Sequence, residues 1–261
     1  MKINLKSPFQ IKNLSSNMHL NSLKTRVFPF LLVFGFMLHL PFAFASTNKI
    51  VKLNTVEVVN DESEVLNSLY EKLELNLKGL SHEAFDNAIK GFENLKEKGE
   101  FKNTSILSIV DFTRPSTEKR LYVIDIANEK VLFNTYVSHG RGSGKTMAED
   151  FSNVPESYKS SLGFYETSGT YQGKNGYSMK LTGLEKGFNN KAEERAIVMH
   201  GADYVSKNFI RSNGFLGRSW GCPALPQELN KPVIDKIKGG TCFFIYSNNA
   251  NYLAKSKIIN S

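Results

Sequence analysis

Residues 105–112, Ser-Ile-Leu-Ser-Ile-Val-Asp-Phe, begin a part of the chain in which β-branched and aromatic residues occur in short runs. Such runs, when separated by turn residues, are typical of β-strands. The further runs are residues 121–127, 131–138, 162–167, 177–181, 196–199 and 241–246. One helix is predicted over residues 226–238. Residues 105–247 are therefore predicted to form a mainly β domain with one late helix.

Two amphipathic patterns precede this domain. Apolar residues recur at spacings of three and four over residues 66–77 and again over residues 84–95, and Ser81 is placed to cap the second pattern. This periodicity predicts two helices packed as a hairpin within residues 46–104. The Asn- and Lys-rich residues 248–261 are expected to form a loosely held tail.

The first 45 residues have the composition of an export signal. Lys24 and Arg26 precede the apolar residues 27–40, and Ala43-Phe44-Ala45 matches a signal-peptidase site before Ser46. The apolar run is close to the length that spans a bilayer, so a retained anchor is the alternative. Both interpretations place the remaining chain outside the cytoplasm, in the periplasm or at the cell wall. After cleavage no membrane association is expected.

The charge distribution argues against nucleic-acid binding. The chain carries a formal charge of +8, but residues 1–45 contribute +5 of it without any acidic side chain, and the other 216 residues contribute only +3. With 41% hydrophobic and 22% charged residues, the composition is that of a folded globular protein.

The glycine-rich residues 140–146 resemble a phosphate-binding loop but lack its first glycine, because that position is His139. We interpret this segment as a flexible loop bordering a site, with His139 as a candidate substrate contact. No pair of histidines or cysteines has the spacing of a metal site, so neither a metal nor another cofactor is expected.

The two cysteines differ in their surroundings. Cys242 lies in an apolar, aromatic run typical of a buried strand, whereas Cys222 lies between Gly221 and Pro223 in a turn. Two cysteines in an exported chain also permit a disulfide, which would suit a non-catalytic cell-wall-binding module. That possibility stays open as the alternative to catalysis.

The strongest candidate site combines residues 197–201, Ile-Val-Met-His-Gly, with residues 217–223, Gly-Arg-Ser-Trp-Gly-Cys-Pro. A histidine at the end of an apolar strand can act as a base. A cysteine in a glycine-flanked turn offers an accessible sulfur and nearby backbone N–H groups. Acyl transfer needs these elements: a thiol nucleophile, a base and a site for the oxyanion.

These segments resemble the L,D-transpeptidase (YkuD-like) catalytic domain, whose signature is His-Gly followed by Ser/Thr-His-Gly-Cys. They look closest to the divergent murein L,D-transpeptidase catalytic domain family, with its Arg-Ser-x-Gly-Cys-Pro-Ala pattern. Residues 137–140, 160–165 and 195–198 agree with it, so the resemblance covers about residues 105–247. It implies a β-sandwich-like fold and action on peptidoglycan stem peptides, as an L,D-transpeptidase or L,D-carboxypeptidase.

The resemblance also implies roles for individual residues. Cys222 would be the nucleophile, His200 its base, and the Gly201 carbonyl would orient the imidazole. The N–H groups of Gly221 and Cys222 would face the oxyanion, and Ser219 would fix the turn.

The sequence departs from the wider family at two positions. Trp220 replaces the histidine that usually precedes Gly-Cys, and Ala224 replaces the arginine usual two residues after the cysteine. Arg218, Trp220 and His139 are therefore the predicted substrate-binding residues.

Overall fold

The computed structural model describes residues 57–261. The predicted export signal over residues 1–45 lies outside the described residues. Within residues 57–261, none of the helices has both the length and the apolar character needed to cross a bilayer.

The described chain begins with two helices, α1 (Glu57–Lys72) and α2 (His82–Glu97), as the sequence periodicity predicts, but α1 lies earlier than expected, because residues 73–77 of the first pattern form turns. The Ser81 hydroxyl caps α2 by accepting a hydrogen bond of 3.3 Å from the Ala84 N–H. One face of α2 is buried against the sheet. Gly91 lies on this face, where a Cβ atom would come within 2.1 Å of the Phe164 ring, so only glycine permits this close approach.

Eight strands form one mixed sheet. In chain order they are β1 (Ile106–Asp111), β2 (Leu121–Asp125), β3 (Lys130–Thr135), β4 (Gly163–Gly173), β5 (Gly176–Gly183), β6 (Val198–Gly201), β7 (Ala224–Leu225) and β8 (Cys242–Tyr246). Their spatial order is β3-β2-β1-β8-β4-β5-β6-β7. The central strands β1 and β8 are buried along their whole length, and α2 packs on both of them.

The two edges of this sheet meet. The chain leaving β3 reaches β7, where the Ser138 N–H donates a 2.9 Å hydrogen bond to the Ala224 carbonyl. Beyond this point Gly140 forms a bridge with Ser219. The sheet therefore curves nearly into a barrel, which confirms the mainly β prediction and brings residues 138–142 beside the Cys222 turn.

The prediction of one late helix is incomplete. The structure has α3 (Lys207–Asn213), α4 (Gln227–Ile237) and α5 (Ala250–Lys255), of which only α4 was predicted. Helices α3 and α5 have seven and six residues, too few to show a helical apolar period. They form because Ser206 and Asn249 cap their first turns with side-chain hydrogen bonds.

The expectation of a loosely held tail is wrong. Tyr252 in α5 is fully buried, and its hydroxyl donates a 2.8 Å hydrogen bond to the buried Glu185 carboxylate. The Ser256 hydroxyl donates to the same carboxylate at 2.5 Å. These two donors anchor the C-terminal residues to the core, although the sequence around them is polar.

Candidate active site

His200 lies near the end of β6 and is held in one orientation. Its Nδ1 atom lies 3.0 Å from the Gly201 carbonyl oxygen, so Nδ1–H is the donor and Nε2 carries the lone pair that can accept a proton. Burial lowers the pKa of the imidazole, which the hydrogen bond to Gly201 only partly offsets. His200 is therefore neutral at neutral pH, as a base must be.

Strand pairing brings Cys222 beside the strand that carries His200. Residues His200 and Ala224 are partners in the parallel β6–β7 pair, so Cys222, two residues before Ala224, lies along the beginning of β6. There the Cys222 Sγ atom is 3.7 Å from the Ala196 carbonyl oxygen, within reach of a weak S–H···O contact. The cysteine and histidine segments that the sequence singled out are thus adjacent in the fold.

The Cys222 turn is fixed by two serines. The Ser219 hydroxyl donates to the Cys222 carbonyl at 2.6 Å and accepts from the Gly221 N–H at 3.1 Å, while the Ser160 hydroxyl donates to the Gly221 carbonyl at 3.3 Å. Gly221 has a φ of +123°, and a Cβ atom there would lie 2.8 Å from the Lys159 carbonyl oxygen. A glycine is therefore required at this position.

These hydrogen bonds correct the predicted oxyanion site. The Gly221 N–H is occupied by Ser219, so it does not face an oxyanion in this structure. The Cys222 N–H donates to no atom of residues 57–261. The Cys222 N–H is thus a backbone donor at the turn that remains available.

Arg195 is a functional candidate to which the sequence analysis gave no role. Its guanidinium donates to the Lys159 carbonyl at 2.6 Å and to the Ser152 carbonyl at 2.8 Å, behind the Cys222 turn. Burial raises the pKa of the Cys222 thiol, and a backbone hydrogen bond from Val198 and the charge of Arg195 lower it in part. In the sequence, the position of Arg195 directly before the apolar residues 196–199 was the only signal that could have pointed to it.

The environment leaves Cys222 and His200 neutral at rest. The pKa of the thiol is raised while the pKa of the imidazole is lowered, and burial is the largest cause of both shifts. A stable thiolate–imidazolium pair is therefore not the resting state. Any reaction of this sulfur as a nucleophile would therefore need a base to take the thiol proton.

The prediction that His139 contacts substrate is wrong. The side chain is fully buried, with Nδ1 accepting from the Arg120 guanidinium at 2.8 Å and Nε2 donating to the Gly144 carbonyl at 3.2 Å. Burial and the Arg120 charge lower its pKa to about 3. His139 is thus a neutral support for the glycine-rich loop.

The other two predicted substrate residues lie at the surface. Arg218 is half-buried, and its guanidinium donates to the Gly144 carbonyl at 2.9 Å, which ties it to the glycine-rich loop. Trp220 is 66% exposed directly before Gly221 and Cys222. Its ring meets the Tyr158 ring edge-on, with 5.5 Å between centroids.

Both cysteines are free thiols, which contradicts the alternative of a Cys222–Cys242 disulfide. Cys242 is fully buried within β8, as its apolar context predicts. Across residues 57–261, no three His, Cys, Asp or Glu side chains are grouped so that they could hold a metal ion.

Several solved structures are similar to this chain, at low identity. An L,D-transpeptidase from Mycobacterium smegmatis matches with 12% identity and a TM-score of 0.35, over 55% of this chain and 59% of that chain. L,D-transpeptidase 3 from Mycobacterium tuberculosis matches with 12% identity and a TM-score of 0.35, over 55% and 61%. An Enterococcus faecium L,D-transpeptidase mutant matches with 13% identity and a TM-score of 0.32, over 54% and 50%. The matched part is less than two thirds of each of these proteins, and no curated protein matches significantly.

The family comparison is more decisive. A family model described as "L,D-transpeptidase catalytic domain" matches residues 76–246, more than half of the 261-residue chain. The match begins in the turn before α2 and ends with β8, so it contains the His200 strand and the Cys222 turn. The chain belongs to the L,D-transpeptidase catalytic domain family.

Proposed function

We propose that the protein is an exported cysteine acyltransferase that acts on peptidoglycan stem peptides. The observation that carries this proposal is the pairing of β6 with β7, which places a free cysteine beside the strand of an oriented, neutral histidine. Family membership supplies the substrate class. The free thiols and the fixed turn favour catalysis over the binding module considered as its alternative.

The reaction would begin with Cys222 attacking the carbonyl carbon of the third stem residue, while His200 Nε2 takes the thiol proton. The Cys222 N–H would face the oxyanion that forms. When this tetrahedral intermediate collapses, the bond to the terminal D-alanine breaks and its amine takes the proton from His200. A thioester remains on Cys222. An acceptor amine then attacks the thioester to form a new amide and restores the thiol. With water as acceptor the product is a shortened stem.

The Gly201 carbonyl substitutes for the carboxylate of a catalytic triad. It holds Nδ1–H and so keeps the lone pair on Nε2, but it carries no full negative charge. The imidazolium formed during attack is therefore stabilised only modestly. This suits a base that must release its proton again to the leaving amine.

We also propose that the protein works outside the cytoplasm. The support is the composition of residues 1–45, together with a family whose proposed substrate lies in the cell wall. N-terminal sequencing of the protein recovered from the periplasm or medium should begin at or near Ser46. Recovery of only full-length chain in the membrane fraction would support an anchor.

Mass spectrometry of tetrapeptide muropeptides incubated with residues 46–261 tests the activity. Loss of D-alanine or formation of a cross-link is expected from the unaltered protein and from Cys242→Ala. Cys222→Ala should give neither product, and His200→Gln should be slowed by about 10²–10⁴-fold. EDTA should have no effect. Unchanged muropeptides with the unaltered protein, or a zinc-dependent activity, would contradict the proposal.

A further inference from the structure

Three side chains from separate segments form a stack at the surface next to Cys222. The Arg141 guanidinium carbon lies 4.0 Å from the centroid of the Tyr158 ring and 5.6 Å from that of Trp220. The two rings contact each other edge to face. We call Arg141, Tyr158 and Trp220 the arginine stack.

The backbone beneath the arginine stack is tightly constrained. The Arg141 N–H donates to the Ser219 carbonyl at 2.8 Å, and the Gly142 N–H donates to the Tyr158 carbonyl at 2.9 Å. At Gly140 a Cβ atom would lie 2.3 Å from the Tyr158 carbonyl oxygen. Tyr158 itself has a φ of +54°, an uncommon value for a residue with a side chain. The backbone positions of Arg141 and Tyr158 are thus fixed relative to each other and to Ser219, the residue before Trp220.

The Arg141 guanidinium has no hydrogen-bond acceptor and no anionic partner within residues 57–261. It takes part in none of the hydrogen bonds and ion pairs of that region, and the residue is exposed. The buried Arg120 and the half-buried Arg195, in contrast, donate to backbone carbonyls. A guanidinium that rests by its face on an aromatic ring keeps its N–H donors at the edge, where they match the two oxygens of a carboxylate.

We propose that Arg141 binds a free carboxylate of the stem peptide, with Trp220 as the apolar wall beside it. This inference rests on the proposed function for the identity of the ligand. A tetrapeptide stem is anionic, so a guanidinium without an anionic partner next to the Cys222 turn is suited to bind it. Arg141, reaching the same turn from the glycine-rich loop, supplies a guanidinium that is already ordered, so little side-chain entropy is lost on binding.

The single tryptophan of the chain makes this proposal measurable without turnover. Trp220 is the only tryptophan, so its fluorescence reports on the arginine stack alone. Cys222→Ala protein, which cannot react, is titrated with a disaccharide tetrapeptide carrying free carboxylates and with the same compound amidated at its carboxylates. Arg141→Gln is combined with Cys222→Ala, and Arg211→Gln, which alters an exposed arginine of α3, is the matched control.

Arg141→Gln should weaken binding of the free-carboxylate compound by about tenfold or more, the scale of a hydrogen bond to a charged group. Binding of the amidated compound should weaken by less than about threefold in Arg141→Gln. Arg211→Gln should leave the affinity for both compounds unchanged. Arg141→Lys should resemble Arg141→Gln, because lysine lacks the two-pronged donor. Equal losses for the two compounds, no loss, or no saturable change in emission would overturn the inference.

Turnover of the same compounds by the unaltered enzyme and by Arg141→Gln with Cys222 intact separates this inference from the proposed function. If the unaltered enzyme leaves muropeptides intact while binding still depends on Arg141 and on the free carboxylate, the proposed reaction fails and the inference stands. If muropeptides are converted and Arg141→Gln binds and converts both compounds like the unaltered enzyme, only the inference fails. A glycan fragment without peptide that shifts the Trp220 emission equally well would show that the stack binds sugar instead.

Discussion

The Ser219 hydroxyl donates a 2.6 Å hydrogen bond to the carbonyl oxygen of Cys222. The Ser219 hydroxyl oxygen also accepts a 3.1 Å hydrogen bond from the Gly221 N–H, so this one side chain bonds to two residues of the turn that carries Cys222. This arrangement leaves the Cys222 N–H without a protein partner in the described region. The turn therefore presents the thiol and an unoccupied backbone donor together, which is the arrangement that the proposed acyl transfer needs.

The two thiols should differ in their rates of alkylation. Cys222 is half-buried beside the surface, whereas Cys242 is fully buried and burial raises its pKa well above the ordinary value. Iodoacetamide should therefore modify Cys222 first in the folded protein. Because the thiolate reacts and the pKa of Cys222 is itself raised, the rate should still increase above pH 9. Peptide mapping after timed labelling measures this, and equal rates at the two cysteines would refute it.

Arg195 should lower the pKa of the Cys222 thiol. Its charge is one of the two influences that oppose the effect of burial. Arg195→Gln should move the pH dependence of Cys222 alkylation to higher pH, while Arg195→Lys, which keeps the charge, should move it less. Urea unfolding of both variants checks that the fold survives the loss of the guanidinium contacts. An unshifted profile in a folded Arg195→Gln protein would show that the arginine is only structural.

His139 should make the protein less stable in acid. Its pKa is about 3 in the folded protein and about 6.5 in an unfolded chain. Between these values the unfolded chain binds a proton that the folded protein does not, so stability falls as the pH is lowered through this window. His139→Gln keeps an acceptor for Arg120 and a donor for Gly144 but does not ionise. Its free energy of unfolding should decline less between pH 7 and pH 4.5, as measured with urea, and an equal decline would count against this role.

The C-terminal residues should contribute to global stability. Tyr252→Phe removes one of the hydroxyl donors to the buried Glu185 carboxylate while keeping the ring that packs on Phe188. Loss of a hydrogen bond to a buried charged group costs about 1–3 kcal/mol. Denaturant unfolding should show a decrease of this size for Tyr252→Phe. Tyr171→Phe, at a partly exposed position of β4, is the matched control and should change little. No difference between the two variants would support the expectation of a loose tail.

Much of the fold was predictable because it follows from patterns along the chain. The periods of three to four and of two predict helices α1 and α2 and most of the strands, since each buries one face or both. The short α3 and α5 were not predicted, because a few capping hydrogen bonds hold them and no apolar period marks them. Polar-looking residues 248–261 are anchored by a carboxylate more than 60 residues earlier in the chain. Sequence periodicity cannot reveal such a contact.

The candidate site was predicted in part. Cys222 and His200 lie in recognisable local motifs, and strand pairing brings those motifs together. His139 is buried because the sheet closes around it and the Arg120 side chain packs against its ring. Neither feature leaves a signal in the sequence near His139. The stacking of Arg141 on Tyr158 likewise depends on contacts between distant segments. The Arg141 N–H bonds to Ser219 and the Gly142 N–H bonds to Tyr158, and neither contact leaves a local signal in the sequence.

Trapping of the covalent intermediate tests the central claim most directly. Residues 46–261 would be mixed with a tetrapeptide muropeptide, quenched in acid within the first turnovers, and examined by intact-protein mass spectrometry and peptide mapping. We expect a mass increase equal to the donor without its terminal D-alanine, on the peptide that contains Cys222 and absent from Cys222→Ala. An adduct on any other residue, or conversion of the muropeptide by Cys222→Ala, would contradict the account.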